Sequence, residues 1–269
     1  MESPLNATLV ERIDQNPELA VFRIRPDSGE IRPFEPGQYA MLALINDEPL
    51  PANLPPAAAA RTKVRLIKRA YSIASAPKAR DHMEFLIVLV KEGRLTPKLW
   101  QLKVGDRILL EDQAKGEFTL NHVPRGKNIV MVSTGTGLAP FMSMLRQYHG
   151  QGLWNKLVII NGCRYVADFG YPDELKDYVR RDPNLTYLPL ATREPVDSGW
   201  NGVRSRVNPI LEADEFKKHV GFPLDPENCV VMLCGNPDMI DGVQKSLEGR
   251  GFVTNTKETK GNIYFERYW

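Results

Sequence analysis

The chain has 269 residues, with 35 lysines and arginines against 33 aspartates and glutamates and a formal charge of +2. That near balance carries no nucleic-acid or membrane charge signature, and 42% hydrophobic with 25% charged residues excludes collagen-like and disordered chains. The length exceeds what one hydrophobic core usually serves, so two domains are expected.

Met1-Glu2-Ser3-Pro4 carries no basic-then-apolar leader, and no apolar run approaches the ~18 residues of a membrane span. A cytoplasmic chain with reduced thiols is therefore expected. The first ~120 residues read as short strands broken by turn chemistry. They are Ala20–Ile24, Tyr39–Leu44 after Pro36-Gly37, Glu84–Val90, and Asp106–Leu110 after Gly105. A single helical piece is predicted around Thr96 to Leu102, with Thr96 as cap and Pro97 as first helical residue. Strands at this spacing predict a small antiparallel barrel or sandwich. The stretch 46–62, with four prolines and the run Ala57 to Ala60, reads as an extended surface loop between two strands. A basic run follows, from Arg61 through Lys63, Arg65 and Lys68 to Arg69.

The rhythm changes at Lys127. Asn128–Val132 is a continuous apolar strand, after which Leu138, Phe141, Met142, Leu145 and Tyr148 recur at helical spacing. Further strands are predicted at Leu157–Asn161, Leu185–Ala191 and Cys229–Leu233, with helical or loop material between them. This alternation implies a parallel sheet with crossover helices. The expected division is 1–124 for the β domain and 125–269 for the α/β domain, because Asn121 to Gly126 interrupts both patterns.

The first parallel strand runs into Ser133-Thr134-Gly135-Thr136-Gly137-Leu138-Ala139-Pro140. Glycines at that place let backbone N–H groups approach a pyrophosphate, with the helix N-terminus adding positive charge, although a tight structural turn fits the pattern equally. The third glycine of the dinucleotide fingerprint is absent and Pro140 stands near its place, which argues against an ordinary Rossmann dehydrogenase. The second strand ends Cys163-Arg164-Tyr165, where an NAD-binding chain would carry an acid. The third delivers Thr192-Arg193, and Arg204 and Arg206 follow. Several guanidinium groups and a hydroxyl near one ribose suit a 2′-phosphate, which favours NADP(H) over NAD(H). Taken one at a time, each arginine fits a solvated surface role as well. The three cysteines, Cys163, Cys229 and Cys234, are too few for a disulfide framework, a zinc site or a self-contained iron–sulfur cluster.

With Arg69-Ala70-Tyr71-Ser72, Gly135-Thr136-Gly137-Leu138-Ala139-Pro140 and Cys234-Gly235-Asn236-Pro237-Asp238-Met239 in this order, the chain resembles the ferredoxin/flavodoxin–NADP(+) reductase family, most closely its bacterial type. The resemblance spans nearly the whole chain. It implies a flavoenzyme that moves electrons between NADP(H) and a one-electron carrier, ferredoxin or flavodoxin, through FAD. It also implies an N-terminal antiparallel β-barrel for FAD and a C-terminal Rossmann-like parallel sheet for NADP(H).

By that resemblance, Arg69 pairs with the flavin pyrophosphate, Tyr71 lies on the isoalloxazine, and Ser72 reaches its reactive nitrogen, with Ala70 between them. Leu86, Ile87, Val88 and Leu89 would hold FAD through their backbone, and Arg94, Leu95 and Thr96 through a phosphate-contacting segment. NADP(H) would be taken by Thr136, Gly137, Arg164, Thr192, Arg193, Arg206, Cys234, Gly235, Asn236 and Asp238. Cys234 would lie beside the nicotinamide; a buried packing cysteine is the alternative. The aromatic end Tyr264 to Trp269 implies docking onto the protein's own core or a ring system. The resemblance gives Glu266 a place near the nicotinamide, puts Tyr268 on the isoalloxazine and Trp269 on the adenine of FAD, and makes Tyr268 a gate that moves aside for the nicotinamide. Ser72, Cys234, Glu266 and Tyr268 are the expected catalytic set. Ferredoxin and flavodoxin are acidic, so the Arg61–Arg69 strip is their expected docking face. A monomer without nucleic-acid or membrane partners is expected. The reductase component of a multicomponent oxygenase and a non-catalytic electron-transfer subunit are the rival readings.

Overall fold

The computed structural model describes residues 3–48 and 65–267. In the first half, inward-facing apolar residues alternate with polar ones and build six antiparallel strands. They are β1 (Ala7–Asn16), β2 (Leu19–Pro26), β3 (Tyr39–Ile45), β4 (Leu66–Ser72), β5 (Met83–Val88) and β6 (Arg107–Lys115). Their order is β4-β3-β6-β1-β2-β5. Just past β4, the Ala74 N–H donates to the Glu84 carbonyl on β5 at 2.8 Å, so the two outer strands come together and the sheet curls into a barrel. Leu9, Phe22, Ile24, Leu42, Met83, Phe85, Ile108 and Leu110 fill its interior. A one-turn helix, α1 (Thr96–Leu99), plugs one end through Leu99.

From Lys127 the strands are parallel, and the three central ones are buried on both sides over most of their length. β7 (Lys127–Thr134), β8 (Trp154–Cys163), β9 (Leu185–Ala191), β10 (Cys229–Gly235) and β11 (Ile263–Arg267) lie in the order β11-β10-β7-β8-β9. The helices are α2 (Ala139–Tyr148), α3 (Pro172–Arg181), α4 (Val207–Ile210), α5 (Ala213–Val220) and α6 (Pro237–Glu248). Alternation along β7 divides the core. Ile129 and Met131 face α2, α3 and the barrel residues Leu19, Val21 and Leu86, whereas Val130 and Val132 face α4, α5 and α6. The chain leaves the first strand, β7, toward β8 on one side and returns beside it as β10 on the other. The sheet therefore has its switch point between β7 and β10, where open α/β sheets bind ligands beyond the strand ends.

The described residues add one strand to the sequence expectations and shorten one helix. β1 was not anticipated: its inner half buries Ala7 and Leu9, but its outer half is polar. The C-terminal aromatics Tyr264 and Phe265 dock onto the protein's own core, one of the two expected readings, as part of β11 in parallel register with Met232 and Leu233. The predicted helix 96–102 shortens to α1, and its cap is Leu95 rather than Thr96. Most of the proline-rich stretch 46–62 lies outside the described residues, as do Arg61, Lys63, Tyr268 and Trp269.

Candidate active site

Two cavities open between the barrel and the parallel sheet. The smaller, about 490 Å³, is walled by β4 and β5: Arg69, Ala70, Tyr71 and Ser72 on one side, Leu86, Ile87 and Val88 on the other. Arg94, Leu95 and Thr96 close its far end, and Glu266 and Thr136 its near end. The larger, about 1140 Å³, lies beyond the C-terminal strand ends and is lined by Leu89, Arg164, Thr192, Arg193, Arg206, Asn236 and Asp238 among others. Val88, Val90 and Thr136 line both, so the cavities meet at the glycine turn.

In the smaller cavity the strand period decides which groups face inward. Burial pushes the Tyr71 phenol up to about 12, partly offset by the Arg69 charge, so the ring is a neutral flat surface at any working pH. Arg69 is exposed and donates to the Lys68 carbonyl at 2.8 Å. Arg94 pairs with Glu48 at 2.9 Å, both about half exposed, so that bond is cheaply exchanged for an anion. Thr96 is differently employed: its hydroxyl donates to the Val90 carbonyl and accepts from the Val90 N–H, both at 3.0 Å, which fixes the turn after β5.

Three elements converge at the near end. Ser72 ends β4, and Glu266 sits on β11 in register with Cys234 of β10. The Ser72 hydroxyl donates to Glu266 Oε2 at 3.1 Å across 194 residues of chain. Burial pushes the Glu266 carboxyl up to about 7, and the Ser72 bond pulls it only partly back. A carboxylic acid that changes protonation near neutrality at a cavity junction can hold and release a proton. Sequence reasoning missed Tyr39, which lines the same cavity opposite Ser72 in the β3–β4 ladder. Its position two residues past Gly37 of the Pro36-Gly37 turn, at the head of a strand, was the available signal.

The glycine turn is a short 3₁₀ segment, Gly135–Leu138, leading into α2. The buried Asn161 amide donates to Ser133 Oγ at 2.9 Å and to the Gly135 carbonyl at 3.2 Å, holding the turn from below. A clasp ties it to the second loop across the switch point: the Asn236 N–H donates to Thr134 Oγ at 2.8 Å. Gly137 faces the end of β10, where a Cβ would stand 2.3 Å from the Cys234 carbonyl oxygen and 2.7 Å from its carbon. Gly137→Ala is therefore expected to destabilise the protein by about 2–3 kcal/mol, read as a lower urea midpoint; an unchanged midpoint would show that the loops separate freely.

Asn236 also caps α6, its Oδ1 accepting from the Met239 N–H at 3.1 Å, and Thr192 Oγ donates to the Cys163 carbonyl at 3.2 Å. Gly137, Cys234 and Gly235 line neither cavity; the Cys234 side chain is fully buried in the core with Leu138 and Met232. Arg164, Arg193 and Arg206 are exposed and have no acidic partner among the described residues. Arg204 is committed: Nε and Nη2 donate to the carbonyls of Glu194 (3.1 Å) and Pro195 (2.9 Å), and its guanidinium lies over Trp200. Sequence reasoning also missed Glu18, Lys91 and Asn208 on the larger cavity's walls.

The donor sets fit the two groups such a pair of cavities would take. A slot with a flat aromatic wall, a hydroxyl–carboxyl pair at one end and two cations suits a flavin with its pyrophosphate. Three guanidinium groups beyond parallel strand ends, with no acidic partner among the described residues, suit a phosphorylated ribose.

Residues 54–119 match the oxidoreductase FAD-binding domain family, and residues 131–245 the oxidoreductase NAD-binding domain family. The flavodoxin/ferredoxin–NADP reductase of Buchnera aphidicola subsp. Baizongia pistaciae is 33% identical over 207 residues, covering 76% of this chain and 82% of that one. The Escherichia coli protein of the same name is 30% identical over 241 residues, 89% of each chain. Among solved structures, a ferredoxin NADP+ reductase from Neisseria gonorrhoeae with bound FAD and NADP superposes with a TM-score of 0.82 at 25% identity, covering all of both chains.

Proposed function

The chain belongs to the flavodoxin/ferredoxin–NADP reductase family, and from that premise we propose how its own residues serve electron transfer between NADP(H) and ferredoxin or flavodoxin through FAD. FAD, when bound, accepts the two electrons of a hydride and passes them on singly. Arg69 and Arg94 hold its pyrophosphate, the Tyr71 ring supports its isoalloxazine, and Leu86 to Val88 form its other wall. Thr96 acts indirectly, by shaping the turn at Val90. Arg164, Arg193 and Arg206 hold the 2′-phosphate of NADP(H), and the Thr136 turn its pyrophosphate. Ser72 orients the Glu266 carboxyl, which holds a proton at the junction. Cys234 contributes through its backbone, as the surface on which Gly137 rests.

The observation that carries this reading is the meeting of the two cavities at Val88 and Thr136, with the Ser72–Glu266 pair on the adjoining wall. Colour and coenzyme preference test it. The purified chain is expected to be yellow and to reduce ferricyanide with NADPH far faster than with NADH; colourless protein, or equal rates, would sink it. Supplying ferredoxin and flavodoxin separately in cytochrome c reduction identifies the carrier.

The finer assignments belong to the same proposal. The division into an FAD part, 1–124, and an NADP part, 125–269, is supported by the change from β6 to β7 across residues 116–126. Three buried cysteines, none in a disulfide, support a reducing cytoplasmic setting. A monomer docks its acidic carrier over Arg65, Lys68 and Arg69. Lys68 is bonded to Glu111, an exposed pair that a carrier's carboxylate can replace.

A further inference from the structure

Next to the wall of the smaller cavity, along β5, lies a buried ionic cluster that none of the steps above uses. Glu84, on β5 two residues before Leu86, is 2% exposed. Its Oε2 accepts from Arg23 Nε at 2.7 Å, and its Oε1 accepts from Arg146 Nη1 at 2.6 Å and from the Tyr171 hydroxyl at 2.9 Å. Arg146, on α2, also forks onto Glu174 with bonds of 2.7 and 2.6 Å and donates to the Ala74 carbonyl at 2.9 Å. One turn earlier, the buried Ser143 hydroxyl donates to the Ser75 carbonyl at 2.7 Å. Ala74, Ser75 and Glu84 belong to the barrel; Ser143, Arg146, Tyr171 and Glu174 belong to the parallel-sheet layer. The cluster thus bonds the two layers beside β5, whose Leu86, on the same strand face as Glu84, lines the smaller cavity, and along α2, which follows the glycine turn.

Burial alone would raise the Glu84 carboxyl, but the Arg146 charge and its bonds hold it below the usual range. Burial would likewise lower Arg146, yet Glu174 and Glu84 hold it above its ordinary value. Both are charged at every working pH. Tyr171 adds a backbone observation: its φ of 52° is the one left-handed non-glycine conformation among the described residues, and its ring lies 4.6 Å from the Arg146 guanidinium. Such a conformation persists where surrounding bonds over-determine it. A buried ion pair contributes little net stability compared with apolar packing, but it fixes the relative orientation of the groups that make it.

We infer that Glu84, Arg146 and Tyr171 form a positioning joint that sets the angle between the barrel and the NADP-binding layer, and so the distance across which NADPH reaches the flavin. None of the three touches either cavity. The inference rests on the electron-transfer reading above, because only a reaction that crosses the interface depends on that angle. Small displacements of reacting partners cost rate far more than affinity.

The test uses the flavin-loaded enzyme with Arg146→Lys, which keeps charge and stem but loses the fork, Glu84→Gln, and the double variant. Stopped-flow bleaching of the flavin by NADPH is expected to slow about tenfold in each single variant. NADP+ affinity, read from the absorption difference spectrum, should stay within about twofold. The double variant should be no slower than the slower single, since both break one unit. Amide exchange should quicken at residues 74–75 and 171–174. Bleaching within twofold of wild type, rate and affinity falling together, or additive losses in the double variant would each overturn the joint. Should Arg146→Lys fail to fold, Tyr171→Phe removes only the hydroxyl bond to Glu84 and keeps the ring over Arg146, and an unchanged bleaching rate there overturns the joint equally. Wild-type protein that NADPH cannot bleach would instead overturn the electron-transfer reading and this inference with it.

Discussion

Glu266→Gln is expected to lower NADPH-dependent ferricyanide reduction about 100-fold while leaving the KM for NADPH within about threefold. Glutamine matches glutamate in volume and can still accept from the Ser72 hydroxyl, so the 3.1 Å contact and the β11 register survive the change. What disappears is the exchangeable proton. Burial puts the wild-type carboxyl at about 7, so it is part protonated and part ionised at neutral pH. The kcat profile of the wild type should therefore bend near that value, and the bend should be absent in the variant. A variant that keeps both the rate and the bend would remove Glu266 from the chemistry.

The same shift predicts the direction of a stability effect. The folded value of about 7 lies above the ordinary glutamate value of 4.5, so between these limits the native state binds the proton more tightly than the unfolded chain. The favourable contribution is complete below about pH 4.5 and is lost as pH rises through about 7, leaving the buried carboxylate as a cost. At about 1.4 kcal/mol per pH unit, discounted for partial solvent contact, that cost is of order 2 kcal/mol. Between about pH 5 and about pH 8, the wild-type urea midpoint should fall further than that of Glu266→Gln at equal flavin occupancy.

Much of this site was legible in the sequence because strand alternation and turn chemistry are local. Arg69 to Ser72, Leu86 to Val88, and the Thr136 turn fall where a period of two and a glycine pair place them. Cys234 shows the limit of reading a residue by type. Along β10, Val231 and Leu233 face one core, while Val230, Met232 and Cys234 face the other, so alternation alone turns its thiol inward. Thr96 shows another limit, since Thr-Pro has the form of a helix cap but the Val90 backbone, brought near by the turn after β5, takes the hydroxyl. β1 escaped notice because Asp14, Gln15 and Asn16 break its apolar rhythm, and only the ladder with β2 makes it a strand. The Glu84–Arg146–Glu174 cluster joins residues 62 and 28 positions apart, and no pattern within a window reveals it.

Replacing Arg193 and Arg206 together by alanine is expected to cost about 1000-fold in kcat/KM for NADPH and less than about threefold for NADH. Each charge-assisted bond to a phosphate oxygen contributes about 1.5–3 kcal/mol, and NADH offers no such oxygen at the 2′ position. Both side chains are exposed on the larger cavity without an acidic partner among the described residues, so removing them leaves no buried charge unpaired and the fold intact. Arg204 separates recognition from support. Its guanidinium is spent on the carbonyls of Glu194 and Pro195 and on the Trp200 face, bracing the turn that presents Arg193. Arg204→Ala should thus weaken NADPH more modestly and also perturb Trp200 fluorescence, whereas the double variant should leave that fluorescence unchanged. Arg193→Lys keeps the charge but loses the planar fork, so its loss should fall between wild type and alanine. If NADH and NADPH lost efficiency in parallel in the double variant, the arginines would be supporting the loop or steering coenzyme generally, and the 2′-phosphate would have to be read by Arg164 and its neighbours instead.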